Sequence, residues 1–111
     1  MSAKPLEIIP SDVARLIQDD TTLVMLDCRT DEERRIATID QSTHIPMNEI
    51  PDRIDELSPY MDAPMIVYCH GGKRSLAVTA LLRTKGFKNA QSLCGGIDRW
   101  SQEVDSSIPQ Y

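Results

Sequence analysis

Cysteine, histidine and aromatic residues are scarce in this 111-residue chain, and it has no long apolar run. The three cysteines, Cys28, Cys69 and Cys94, are odd in number and form no CxxC pair. Residues 1–7 carry no apolar export segment. A disulfide framework is not expected from such a chain, whereas reduced thiols and a cytoplasmic location are. The two histidines stand apart from each other and from the cysteines, which leaves a zinc site without a ligand set. No motif asks for a nucleotide or organic cofactor, so none is expected. No apolar stretch approaches the roughly 20 residues that cross a bilayer, and no membrane partner is expected. The net charge of −5 has the wrong sign for gripping nucleic acid by its phosphates.

What is present suits a folded domain, with 41% hydrophobic and 26% charged residues. At this length residues 1–111 are expected to form one domain able to bury its own core. The charge is uneven: residues 1–64 carry 6 Lys/Arg against 14 Asp/Glu, and residues 65–111 carry 6 against 3. An anion site is therefore expected in the back half.

Strand and helix signals alternate along the chain. Apolar runs at 6–9, 23–26 and 65–69 read as strands, the last two too uniformly apolar to have a wet face. Shorter strands are expected at 44–45 and 91–93. Ser11 is expected to cap a helix to about residue 18, with Val13, Ala14, Leu16 and Ile17 inward. Acids at 31–33 open a second helix, and residues 52–57 suit a short one ended by Pro59. Further helices are expected over 74–85, stopped by Gly86, and over 97–103, with Trp100 inward. Strands separated by helices imply an α/β fold: a mostly parallel central sheet of about five strands with helices on both faces.

The segment Cys69-His70-Gly71-Gly72-Lys73-Arg74-Ser75 carries the chemistry. It places a cysteine at the end of a buried strand, where ligands of open α/β sheets sit. Gly71 and Gly72 let successive amides turn inward, and the helix that follows adds unsatisfied N–H groups. Lys73 and Arg74 add positive charge. These features cradle an anion centred on the Cys69 sulfur and favour its thiolate, the nucleophilic form. An inert, buried cysteine fits this setting poorly.

The chain resembles the single-domain rhodanese-like sulfurtransferases along nearly its whole length. Leu26-Asp27-Cys28-Arg29 with Asp31-Glu32-Glu33 is similar to the family's Leu-Asp-Val-Arg stretch and acidic helix. Ile45-Pro46, the Cys-x4-Arg loop from Cys69 to Arg74, and Gly86-Phe87 continue the pattern. Gly95-Gly96-Ile97-Asp98-Arg99-Trp100 resembles its closing Gly-Gly-x-x-x-Trp motif. One stretch departs: residues 37–42 read Ala-Thr-Ile-Asp-Gln-Ser where the family usually has Gly-His-Ile-Pro-Gly-Ala, which puts the shape of that loop in question. The resemblance implies a rhodanese-like fold and sulfur transfer. Cys69 would take a sulfur from a small donor anion such as thiosulfate, become a persulfide, and pass the sulfur to a nucleophilic acceptor. The amides of 70–75 would stabilise the persulfide, and Lys73 and Arg74 would attract the donor. His70 lines the mouth of the site or has no role. Asp27 and Arg29 would support the loop rather than take part in chemistry.

Two other readings stand beside this one. Cysteine phosphatases and arsenate reductases use Cys-x5-Arg, whereas here four residues separate Cys69 from Arg74 and Ser75 stands where their arginine would. A non-catalytic rhodanese-like module that only binds partners is the other, although such modules commonly lack the loop cysteine. Cys28 and Cys94 end the strands that flank that of Cys69 in the resembled fold. Either could relay sulfur or pair with Cys69, or both are small buried fillers. The tail 103–111 resembles the ends of rhodanese domains fused to enzymes that activate ubiquitin-like sulfur carriers. That likeness implies a protein sulfur acceptor, and Ile108 and Tyr111 are expected to fold back if the tail is not frayed.

Overall fold

The apolar runs near residues 24 and 66 become two of the three inner strands of one sheet. A computed structural model describes residues 4–19 and 22–111. Its strands are β1 (Glu7–Ile8), β2 (Val24–Asp27), β3 (Thr43–His44), β4 (Met65–Tyr68) and β5 (Ala90–Leu93). They lie in the order β1-β5-β4-β2-β3, and every neighbouring pair is parallel. The helices are α1 (Pro10–Gln18), α2 (Asp31–Ile36), α3 (Ile50–Arg53), α4 (Lys73–Thr84) and α5 (Gly96–Glu103). The α/β class and the five-stranded parallel sheet agree with the expectation from sequence.

The apolarity of β2 and β4 follows from burial on both faces. Successive side chains of a strand point to opposite sides. Met65 and Val67 accordingly join Leu26, Cys28, Ile50, Val78 and Leu82 in one core beneath α3 and α4. Ile66 and Tyr68 join Met25, Val13, Ile97 and Trp100 in a second core beneath α1 and α5. Trp100 and Leu82 are core residues, at 4% and 0% exposure. No helix among the described residues is long and apolar enough to cross a membrane.

Three local expectations are corrected. Ser11 does not cap α1; the helix begins at Pro10, with Ile9 at the cap position and no side-chain cap. Proline suits the first helical turn because its missing N–H would find no partner there anyway. Ile17 of that helix faces out at 46% exposure. Residues 50–60 form not one helix ended by Pro59 but α3, led by Pro51 in its first turn, and then a 3-10 segment that contains Pro59. The α2 cap is stronger than the acids alone implied. Thr30 and Glu33 form a reciprocal capping box, each side chain receiving the other residue's backbone N–H.

The unusual stretch at 37–42 closes without glycine. Gln41, which stands at the place of the family's second glycine, takes a left-handed φ of 63°. Arg34 donates to the Ser42 hydroxyl at 2.7 Å and to its carbonyl at 2.9 Å, and the Ile39 N–H donates to the Tyr68 hydroxyl at 3.3 Å. Side-chain bonds thus hold the turn that glycines would otherwise ease.

Candidate active site

Cys69 directly follows β4, one residue beyond the sheet, and its side chain sits in the core at 1% exposure. Gly72 takes φ 108°, a conformation that favours glycine, and reverses the chain into α4. This reversal aims the Gly72 and Ser75 N–H groups at the Cys69 Sγ, at 3.1 and 3.3 Å. The Cys69 thiol reaches the Ser75 Oγ at 3.4 Å. That hydroxyl lies 2.7 Å from the Ser92 Oγ and donates to the Gly72 carbonyl at 3.2 Å. Both serines are fully buried. The buried sulfur therefore faces two oriented backbone donors and one serine hydroxyl that accepts from it.

The loop rests on α5. The first N–H groups of that helix need partners, and the loop supplies them. Ile97 N–H donates to the Cys69 carbonyl at 2.9 Å, and Asp98 N–H to the His70 carbonyl at 3.1 Å. Gly96 makes this approach possible: at φ 62°, a Cβ there would run into the His70 carbonyl. The Gly-Gly-x-x-x-Trp motif is thus a packing device, bringing α5 against the loop at one end and anchoring it through Trp100 at the other.

The loop cations differ from each other. Lys73 is exposed and joins none of the ion pairs among the described residues. Arg74 instead turns its fork onto Glu33 of α2, donating to both carboxylate oxygens at 2.7 and 2.9 Å. The bonds from Arg74 hold the Glu33 carboxyl well below the usual carboxylate range, against a smaller opposing effect of burial. The Tyr111 hydroxyl donates to the same carboxylate at 2.7 Å and accepts from Arg29 Nη1 at 2.9 Å. Its ring stacks on His70 with centroids 4.1 Å apart. Burial pushes the Tyr111 phenol up to about 12, so it remains a proton donor. Tyr111 and the 8%-exposed Ile108 do fold back, and the tyrosine ends beside the loop.

Asp27 and Arg29 form a fully buried pair beside the loop. Arg29 Nε and Nη2 donate to the two Asp27 oxygens at 2.9 and 2.8 Å, and Arg34 and Tyr68 add bonds at 3.2 Å. Burial pushes the Asp27 carboxyl up, but the bonds from Arg29 and Arg34 outweigh it and hold the group below its ordinary value. Arg29 also donates to the Glu33 and Ala37 carbonyls, which ties β2 to α2.

Cys28 and Cys94 directly follow β2 and β5, the strands that flank β4. Cys28 faces the same core as Cys69, and its thiol donates to the Tyr68 carbonyl at 3.4 Å. Burial, with the nearby charges of Cys69 and Asp27, pushes Cys28 up to about 12. Cys94 is half-buried, 3.5 Å from Arg99 Nη1. A cavity of about 380 Å³ opens between Cys28, Pro46, Met47 and Arg74. Among the described residues no cluster of three or more His, Cys, Asp or Glu is placed to hold a metal ion.

Reading residues in order does not find Glu33, Ser92 or Tyr111. The Thr30-x-x-Glu33 spacing signals a cap, but nothing in it points to Arg74. Ser92 is one small residue in a strand, and Tyr111 lies 78 positions from the carboxylate it serves.

The fold and the loop define a rhodanese domain, and comparison with known proteins agrees. A family model described as "Rhodanese-like domain" matches residues 10–103, and the chain belongs to that family. It is 33% identical to a Bacillus subtilis protein named putative sulfurtransferase YtwF, over 88% of this chain and 92% of that protein. It is 31% identical to a Zea mays protein named adenylyltransferase and sulfurtransferase MOCS3-2, over 87% of this chain but 21% of that protein's length. A solved structure, a rhodanese-like domain protein from Staphylococcus aureus, superposes with a TM-score of 0.81 at 25% identity, covering 96% of this chain and 99% of that one.

Proposed function

We propose that this domain is a sulfurtransferase that carries sulfane sulfur as a persulfide on Cys69. The observation that carries the reading is the pair of backbone N–H groups, from Gly72 and Ser75, at 3.1 and 3.3 Å from the Cys69 Sγ. Hydrogen bonds to a charged acceptor contribute about 1.5–3 kcal/mol each, and here they act on a sulfur removed from water. The Cys69 thiolate attacks the outer sulfur of a donor. A sulfur–sulfur bond forms on Cys69 as the donor's own breaks, and the donor's remainder leaves with the electron pair; from thiosulfate that remainder is sulfite. A nucleophile then takes the outer sulfur, and the electron pair returns to Cys69 as thiolate. Exposed Lys73 draws anionic donors toward the loop. The relatives named sulfurtransferase support the same reading.

A protein tail is the proposed acceptor in the cell. The likeness of residues 103–111 to the ends of rhodanese domains fused to activating enzymes supports it, as do the matches to proteins named MOCS3 and UBA4. Intact-mass spectrometry after exposure to thiosulfate or an organic persulfide tests the chemistry. Wild type is expected to gain the mass of one sulfur atom, removable by cyanide, and folded Cys69→Ser to gain none. A folded wild type that takes sulfur from neither donor returns the domain to the partner-binding reading.

A further inference from the structure

Most of the positive charge around the loop is engaged before any donor arrives. Arg29 is buried and divides its donors among Asp27, Tyr111 and two carbonyls. Arg34 is held by Asp27 and Ser42. Arg74, the arginine of the Cys-x4-Arg loop, has both ends of its fork on Glu33. Glu33 is itself fixed from three sides: by Thr30 through the capping box, by the Tyr111 hydroxyl, and by Arg74. The pair is partly buried, with the Arg74 side chain 35% and the Glu33 side chain 17% exposed. Exposed Asp31 and Glu32 lie on the same helix. On the loop itself, Lys73 alone offers a charge outside an ion pair among the described residues.

We infer that Glu33 is a specificity-determining residue which, by occupying the fork of Arg74, turns the site away from sulfur donors bearing an oxyanion and toward organic persulfides. This deepens the sulfur-transfer reading and rests on it. Thiosulfate is a dianion whose sulfonate oxygens match a guanidinium fork, the strongest geometry for such a group. Here that fork already grips a carboxylate of matching shape, so a sulfonate must displace Glu33 or do without Arg74. Its approach to the Cys69 thiolate then has less cationic charge to offset like-charge repulsion. An organic persulfide has no sulfonate to place. Cys69 as thiolate plus RS–SH gives Cys69–S–SH and RS⁻: one sulfur–sulfur bond forms, one breaks, and the thiolate RS⁻ leaves. The loop amides that face the sulfur serve this reaction without Arg74.

The test measures the rate at which Cys69 gains one sulfur, by intact-mass spectrometry, from thiosulfate and from 2-hydroxyethyl persulfide, which bears no carboxylate or sulfonate, at equal concentrations. Wild type is expected to load faster from the organic persulfide. Glu33→Gln keeps an oxygen for the Thr30 cap, and urea denaturation checks its folding. It is expected to raise the thiosulfate rate about tenfold, equivalent to roughly 1.4 kcal/mol, while the persulfide rate changes little. Adding Arg74→Gln should remove that gain. Tyr111→Phe takes one hydrogen bond from Glu33 without changing its charge, and should move the thiosulfate rate the same way by a smaller factor. Preference for thiosulfate in wild type, or an unchanged ratio of the two rates in both Glu33→Gln and Tyr111→Phe, overturns the inference and leaves sulfur transfer standing. Loading from neither donor overturns both.

Discussion

Replacing Gly96 by alanine probes the contact on which the loop rests. Two costs follow from the structure. The residue takes φ 62°, and a left-handed conformation costs a residue with a Cβ about 1–2 kcal/mol. The new Cβ would also collide with the carbonyls of His70 and Cys69, backbone atoms that cannot swing aside, and overpacking of this kind costs about 1–3 kcal/mol. Together the loss is expected to be about 2–5 kcal/mol, a large share of the 5–15 kcal/mol typical of a domain this size. With a mid-range urea slope of about 2 kcal/mol per molar, the unfolding midpoint should fall by about 1–2.5 M. Relief of the collision moves α5 away, so the Ile97 and Asp98 amides, which donate to those two carbonyls, should exchange hydrogen faster. Gly71→Ala is the control. It sits in the same loop, with no neighbouring atom within 4 Å of where its methyl would stand and no left-handed φ, so its stability should stay within about 0.5 kcal/mol of wild type. A Gly96→Ala protein within about 1 kcal/mol of wild type, or a Gly71→Ala protein that loses more, would refute the reasoning.

Asp27→Asn strands the buried Arg29 charge, and breaking such a pair costs about 3–5 kcal/mol, readable as a urea midpoint shift. A loss under about 1 kcal/mol would mean that the surrounding carbonyls and Tyr111 hold the guanidinium unaided. Gln41→Gly relieves the left-handed turn and should stabilise by about 0.5–1 kcal/mol; destabilisation would show that the Gln41 side chain matters more than its backbone. Acid stability should depend on Glu33. Its folded pKa is lowered by Arg74, so its contribution is present above the unfolded value near pH 4 and lost as pH falls through the folded one. Glu33→Gln should therefore flatten the decline of stability below about pH 5, and an unchanged decline there would count against the pairing.

The elements most legible in the sequence are those whose cause is local. Apolar runs at 23–26 and 65–69 marked β2 and β4 because each is buried on both faces. Gly71 and Gly72 after Cys69, followed by a run of helix formers, marked the strand, the loop and the start of α4. The errors also have local causes. Ser11 looked like a cap, but Pro10 was already in the first turn of the helix. Pro59 looked like a stop, but 3-10 geometry accommodates it. Gln41 gave no sign that it would take a glycine's place, since its turn is held by Arg34 and Tyr68 from other elements.

By itself the sequence determined the α/β fold class and the place of Cys69 at the end of β4 ahead of a glycine-bearing loop; of the amides of 70–75 expected to face the sulfur, those of Gly72 and Ser75 do. All of these depend on residues within a few positions of one another, where backbone geometry leaves few choices. The tertiary structure alone decided what the loop's charges do. Glu33 and Arg74 are 41 positions apart, and Tyr111 is 78 positions from Glu33. Spacing along the chain has no bearing on such pairs. Arg74 reads as a free cation for a donor until packing of α2 beside the loop brings a carboxylate to its fork. Coulomb attraction between partly buried groups at 2.7 Å then settles where that charge goes.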